Sequence, residues 1–219
     1  MRILLINTAG AEGSAALADT EAAQPILAKE MMPGRTSSER LVPTIRRLLE
    51  AQLWRLGDLA AIGVVHGPGS FTGVRVGISA AKGLSDASGV KLVAVSRLAL
   101  LASSVDGQRD AVYPVLDAGR GEFYFGEYVG QRCVREGLIS RENLMSAAAS
   151  EVVVVCEAKV AEALAALTPK MVIEPKAADV LSLVIKRIKV GQFDDASALD
   201  ANYLRRTDSE IFAKPASKA

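Results

Sequence analysis

Between His66 and Gly73 the chain reads HGPGSFTG, with glycines at 67, 69 and 73 around Ser70 and Thr72 and with Arg75 two positions beyond. A glycine-rich turn into a helix leaves backbone N–H groups uncovered at the helix start, where Ser70 or Thr72 can cap and an anion can bind. Arg75 in the first turn would favour an anion nearby. The same glycines also let a loop pass close to neighbouring backbone, and spacing alone does not choose between these readings. Two established phosphate motifs are excluded. A dinucleotide fingerprint needs GxGxxG after a first strand and an acid ending the next one, whereas here the spacing is GxGxxxG and KLVAVS ends without an acid. A Walker loop needs Lys and then Ser or Thr after its last glycine, and Gly73 is followed by Val74 and Arg75.

His66 is the only histidine, so HExxH, a two-histidine metal site, or a triad using any other histidine is excluded. Ser70 with His66 is the one nucleophile and base pair close in sequence, and nothing beside it orients the base. Cys133 and Cys156 form no CxxC or Cys/His spacing, which argues against a zinc site or disulfide scaffold and leaves both expected to be reduced and at least partly buried. The 26 Lys and Arg against 25 Asp and Glu give a net charge of +1, so electrostatics make no case for nucleic acid as the main partner. Asp117, Arg120, Gly121 and Glu122 read either as a tight turn bent at Gly119 and Gly121 or as a contact segment. No apolar run is long enough to span a bilayer, and MRILLINTAGA turns polar too soon for a signal peptide, so a cytoplasmic location without membrane contact is expected.

These residues must be positioned by the elements around them. RILLINT, SAALAD and PILAKEM read as a three-strand meander whose first turn is GAEG. A helix capped by Ser37 or Ser38 runs to about Trp54, with Leu41, Val42, Ile45, Leu48, Leu49 and Leu53 on one stripe. AAIGVVH is a strand buried on both sides that empties into the glycine run. Helix 74–87, strand KLVAVS and helix RLALLAS follow, and VDGQRD reads as a linker. Three strands, AVYPVLD, GEFYFGEYV and QRCVREGLI, then repeat the order. After them come RENLMSAAA (helix), VVVVC (strand), EAKVAEALAAL (helix), MVIEP (strand) and ADVLSLVIKRI (helix). The expected fold is α/β with two duplicated βββαβα-type domains, 1–105 and 106–219, the last residues packing back on the first domain or disordered.

Helix 74–87 is apolar or small nearly all round, with only Arg75, Ser79 and Lys82 polar over VRVGISAAKGL. A helix without a broad polar face is buried on both sides. Gly77, Ala80 and Ala81 would let another helix approach closely, from a partner or from this chain.

The stretch HGPGSFTGVRVGISAAKGL closely resembles the signature of the TsaB family, also called YeaZ. RILLINTA, SSERLVPTIRRLL, DAGRGEFYFGEY and NYLRR match its other segments in order along nearly the whole chain. The resemblance implies an actin/Hsp70/sugar-kinase-like fold with mixed sheets and a part in making threonylcarbamoyladenosine beside the anticodon of tRNAs. In that pathway the threonylcarbamoyl group is transferred by TsaD, a paralogue that holds a metal through HxxxH. This chain has SSERL there, so the resemblance implies a non-catalytic partner of TsaD with no metal or resident cofactor. The family's partner surface is built on the first two helices, implying contact by Leu41, Ile45, Val74, Gly77, Ile78 and Ala81, with a charge at Ile78 or Ala81 expected to break the complex and spare the fold. Further implied partners are a TsaE-like ATPase, tRNA through the complex, and a second copy of the chain when it is alone. Asn7 stands where the family usually has Asp, which weakens the case for nucleotide turnover. One alternative is a nucleotide-binding regulator contacting ATP or ADP through Asn7, Gly67, Gly69, Ser70, Thr72, Gly73 and Arg75. Another is a glycopeptidase-like hydrolase using Ser70 and His66.

Overall fold

The computed structural model describes residues 1–33, 36–105, 111–202 and 204. The linker residues 106–110, Tyr203 of NYLRR and the tail from 205 onward lie outside them.

Apolar runs that alternate poorly make strands covered on both faces, and four of the five strands of the first sheet are such runs, while the edge strand ILAKEMM alternates between half-buried and exposed positions. β1 (Arg2–Asn7), β2 (Gly13–Asp19) and β3 (Ile26–Met32) form an antiparallel meander. β4 (Ala61–Val65) and β5 (Lys91–Val95) extend it in parallel from β1, giving the order β3-β2-β1-β4-β5. The second sheet repeats the plan with β6 (Ala111–Gly119), β7 (Glu122–Val129), β8 (Arg132–Ser140), β9 (Val152–Val155) and β10 (Lys170–Met171), in the order β10-β9-β6-β7-β8. The expected duplication is therefore a repeat of topology. It is carried by strand order and not by residue identity.

On the first sheet, α1 (Ser37–Ala51) and α2 (Phe71–Ser88) pack against the strands and against each other. A 3-10 turn at Ala177–Val180 and α6 (Leu181–Lys189) cover the opposite face, where Gly63 of β4 leaves space for Val184. The chain thus returns to its first sheet after completing the second. α3 (Arg97–Ala102) joins the two halves by burying Leu98 and Leu101 with Val112, Leu116 and Val154. α4 (Arg141–Ala147) and α5 (Ala158–Ala163) close the second core over Val115, Phe125 and Val153.

Several boundaries differ from those read in the sequence. α2 starts at Phe71, three residues before Val74, because the Ser70 hydroxyl accepts the Gly73 N–H at 3.2 Å, and it ends at Gly89, whose φ of 71° suits glycine. α1 is preceded by Thr36, whose hydroxyl donates back to the Pro33 carbonyl at 2.9 Å and caps nothing. It ends at Ala51, so Leu53 leaves the stripe and is 92% exposed. Of MVIEP only Met171 lies in a strand, since Val172 makes one last bond to Val155 before Ile173 turns outward at 91% exposure. Among the described residues no helix is long and apolar enough to cross a membrane.

Candidate functional site

β1 delivers Asn7, Thr8 and Ala9 to the foot of α2, and the glycine run is shaped around them. The Thr8 hydroxyl donates to the Gly73 carbonyl at 2.7 Å, and the Ser70 N–H donates to the Ala9 carbonyl at 2.9 Å. A Cβ on Gly73 would collide with the Thr8 carbonyl oxygen, and one on Gly69 with the Ala9 carbonyl oxygen. At these two positions the glycines serve close approach of neighbouring backbone.

Above this seam lies a cleft of about 390 Å³ lined by Thr8, Gly10, Ala11, Ser37, Ser70 and Thr72, among others. The first turns of α1 and α2 both open on it, so hydroxyls and positive helix ends converge there. Of the residues expected to meet an anion, Ser70, Thr72 and Gly73 line this cleft. Gly67 and Gly69 border a separate recess with Tyr124 and Asn202. Asn7 is buried and does not line the cleft: its Nδ2 donates to the Pro175 carbonyl at 2.9 Å and its Oδ1 accepts the Ala9 N–H at 3.1 Å. Arg75 is exposed, with its guanidinium 3.3 Å over the Phe71 ring.

A residue that the sequence did not single out, Glu174, lies against Gly10 and Ala11 of the first hairpin without itself lining this cleft. The Glu174 carboxylate accepts the Ala11 N–H at 3.1 Å, Arg97 Nη2 at 2.8 Å and Lys176 Nζ at 3.0 Å. Burial works against its charge, but the hydrogen bond from Lys176, the charge of Arg97 and the Ala11 N–H together hold the carboxyl below its ordinary value. Arg97 also lies 3.4 Å from Glu157, whose other oxygen accepts the Asp117 N–H at 3.0 Å. The network thus crosses from the first hairpin to the second. In that second hairpin Asp117 accepts the Gly119 N–H at 2.7 Å, and Gly119, Arg120 and Gly121 take positive φ, as a tight turn requires.

His66 lines a different cavity, of about 360 Å³, together with Tyr128, Glu136, Lys186 and Asn202. Burial pushes its imidazole below the ordinary value. Glu136 there accepts from Ser96 Oγ at 2.5 Å, from Asn202 Nδ2 at 2.7 Å and from the Tyr128 hydroxyl. Ser70 and His66 therefore face separate clefts and do not form a nucleophile and base pair. Cys133 is exposed, contrary to expectation, while Cys156 is half-buried with its thiol pushed up to about 11 by burial. No group of three His, Cys, Asp or Glu side chains is placed to hold a metal among the described residues.

The six residues expected to face a partner point into the chain's own core. Leu41, Ile45, Val74, Ile78 and Ala81 are at most 5% exposed, and a Cβ on Gly77 would strike the Thr8 hydroxyl. The missing side chain of Gly77 lets α2 lie close on the end of β1, against Ile6 and Thr8. The outward faces carry Ser38, Glu39, Val42, Arg46 and Glu50 on α1, and Thr72, Arg75, Ser79, Gly83 and Asp86 on α2.

A family model described as TsaD, tRNA N6-adenosine threonylcarbamoyltransferase, matches residues 31–178. The chain is 35% identical over 130 residues to the tRNA threonylcarbamoyladenosine biosynthesis protein TsaB of Escherichia coli K12, covering 58% of this chain and 55% of that protein. It is 34% identical over 113 residues to the protein of the same name from Bacillus subtilis 168, covering 52% and 49%. Among solved structures, YeaZ from Pseudomonas aeruginosa superposes with a TM-score of 0.78 at 26% identity, over 93% of this chain and 99% of that one. The chain belongs to the TsaB (YeaZ) family. For a TsaB-family chain the TsaD match is the more distant relation. The alignments span about half the length of these curated relatives. An activator of 2-hydroxyisocaproyl-CoA dehydratase from Clostridium difficile, with a TM-score of 0.51 at 8% identity over 88% of this chain and 97% of that one, shares the fold alone. The TsaB-family fold here is the actin/Hsp70/sugar-kinase-like one, with two mixed five-stranded sheets.

Proposed function

We propose that this TsaB-family chain is the non-catalytic partner of a TsaD-type transferase in the step that places threonylcarbamoyl on the adenosine beside the tRNA anticodon. The observation that carries the reading is the similarity to proteins named for threonylcarbamoyladenosine biosynthesis, joined to a YeaZ-like fold over most of the chain. The single histidine supports the division of labour, since one imidazole cannot form the two-histidine metal pair the transferase pattern requires. Separation of Ser70 from His66 into different cavities argues against the hydrolase alternative.

In this reading the contact surface is the outward side of α1 and α2. Val42, 55% exposed, and half-buried Val76 and Ala80 supply its apolar part, with Arg46, Ser79 and Gly83 around them. Gly83 has nothing within 4 Å of a built Cβ, so a partner helix could approach there closely. The chain acts by binding: a partner that prefers one conformation of the transferase shifts its population toward that conformation. The TsaE-type ATPase and tRNA are reached through that complex, and the free chain can pair with itself through the same face. Mixing this protein with its organism's TsaD-type transferase and measuring mass by light scattering after size exclusion tests the reading. A heteromer is expected, and two separate species over the micromolar range would overturn it.

A further inference from the structure

α1 closes in a left-handed turn whose central residue is a leucine. The Leu53 N–H donates to the Glu50 carbonyl at 3.0 Å and the Trp54 N–H to the Leu49 carbonyl at 2.9 Å, the pair of bonds that ends a helix when the residue between takes positive φ. Leu53 has a φ of 55°. Glycine is the ordinary occupant of such a position, because a Cβ there crowds the following carbonyl oxygen, and a leucine holds it at a cost in stability. Packing within the chain does not offset that cost. Leu49 belongs to the core of the first sheet and Trp54 and Leu56 pack against it, whereas Leu53 is 92% exposed, the largest fraction among the described large hydrophobics. The other described non-glycine residues at positive φ, Arg120 and Thr168, are polar. A bulky apolar side chain that is both strained at its backbone and bare to water points to a contact outside the chain. Its place indicates which contact. Leu53 lies about three helical turns beyond Val42, so the outward line through Val42 and Arg46 runs on to it. Arg46 and Glu50 pair with each other at 3.5 Å, which leaves no net charge between the two apolar side chains.

We propose that Leu53 is an anchor at the far end of the helix-pair surface and seats in an apolar pocket of the TsaD-type transferase, so that the stability given up at the turn is recovered in the complex. The inference rests on the partner reading and extends its surface past the end of α1. A second copy of the chain offers Leu53 only this same outward face, which is polar around Val42, Val76 and Ala80. The transferase is therefore the occupant assigned to it. Burying one leucine side chain is worth enough to decide whether two micromolar partners stay together.

The test reads two quantities on the full chain and its variants: melting temperature, and affinity for the organism's TsaD-type transferase by calorimetric titration. Leu53→Gly relieves the turn and removes the side chain. It is expected to hold the melting temperature or raise it by up to about 4 °C, and to weaken the heteromer about tenfold. Leu53→Asn, polar and tolerant of positive φ, should behave in the same way. Leu53→Met, apolar but still strained, should stay close to the unaltered protein in both. Unchanged transferase binding by the Gly and Asn variants, while Val42→Glu still weakens it, would overturn the anchor and leave the partner reading standing. Absence of any heteromer with the unaltered chain would overturn both. Loss of self-association with unchanged transferase binding would assign Leu53 to a second copy, and a lower melting temperature in the Gly variant would assign it to its own chain; either result contradicts the proposal.

Discussion

The Thr8 hydroxyl donates to the Gly73 carbonyl at 2.7 Å, while the Thr8 carbonyl oxygen stands where a Gly73 side chain would begin. The end of β1 and the start of α2 are thus locked from both directions. Gly73→Ala should cost about 1–3 kcal/mol, because the obstacle is backbone that cannot rotate aside. Gly83→Ala on the same helix meets nothing within 4 Å and should stabilise by about 0.5–1 kcal/mol. Urea unfolding of the two variants compares them directly.

The two faces of the helix pair should respond differently to charge. Ala81 is fully buried, so Ala81→Glu should unfold or severely destabilise the chain and cannot report on a partner. Val42→Glu, on the outward side of α1, should leave the melting temperature within a few degrees and weaken the proposed heteromer by about tenfold or more. Circular dichroism and light scattering on the same samples separate the effects.

Asn7 donates to the Pro175 carbonyl from a site 3% exposed. Asn7→Asp removes that donor and sets a carboxylate against a carbonyl oxygen, for an expected cost of about 1–3 kcal/mol near neutral pH. Acid should relieve part of the penalty, since a protonated carboxyl can donate again. Unfolding measured at several pH values checks both statements.

Burial lowers the His66 pKa from 6.5, against opposing pulls from Glu136 and the Asp200 backbone. As pH falls through this ordinary value the unfolded chain takes up the proton first. Stability from the neutral, buried imidazole is therefore present above pH 6.5 and declines between 6.5 and the folded value. Glu174 acts in a lower window: its contribution is present above 4.5 and is lost as pH drops through its depressed folded value. His66→Gln should flatten the first slope and Glu174→Gln the second, as read from unfolding free energy against pH.

Much of this architecture was legible because its signals are local. ILLI within RILLIN, and AIGVV, are unbroken runs of apolar or small residues and form the neighbouring strands β1 and β4 of the first sheet. The stripe through Leu41, Ile45 and Leu48 identified α1. Which way a nearly all-apolar helix faces was not legible. Gly77 and Ala81 suit a partner helix and the chain's own core equally well, and only the packing of Gly77 against Thr8 and Ile6 and the full burial of Ala81 decide. Glu174 gave no signal, because its partners Arg97 and Ala11 lie 77 and 163 residues away in sequence. A carboxylate in a segment that reads as a short strand looks like ordinary surface charge until the fold brings the hairpin to it.

The partner role is tested most directly by tRNA modification reconstituted with the organism's TsaD-type transferase, the threonylcarbamoyl-AMP synthase and the TsaE-type ATPase, with and without this chain. Threonylcarbamoyladenosine is expected to form only when this chain is present, and Val42→Glu is expected to reduce its yield in step with loss of the heteromer. Full modification in its absence would contradict the partner role.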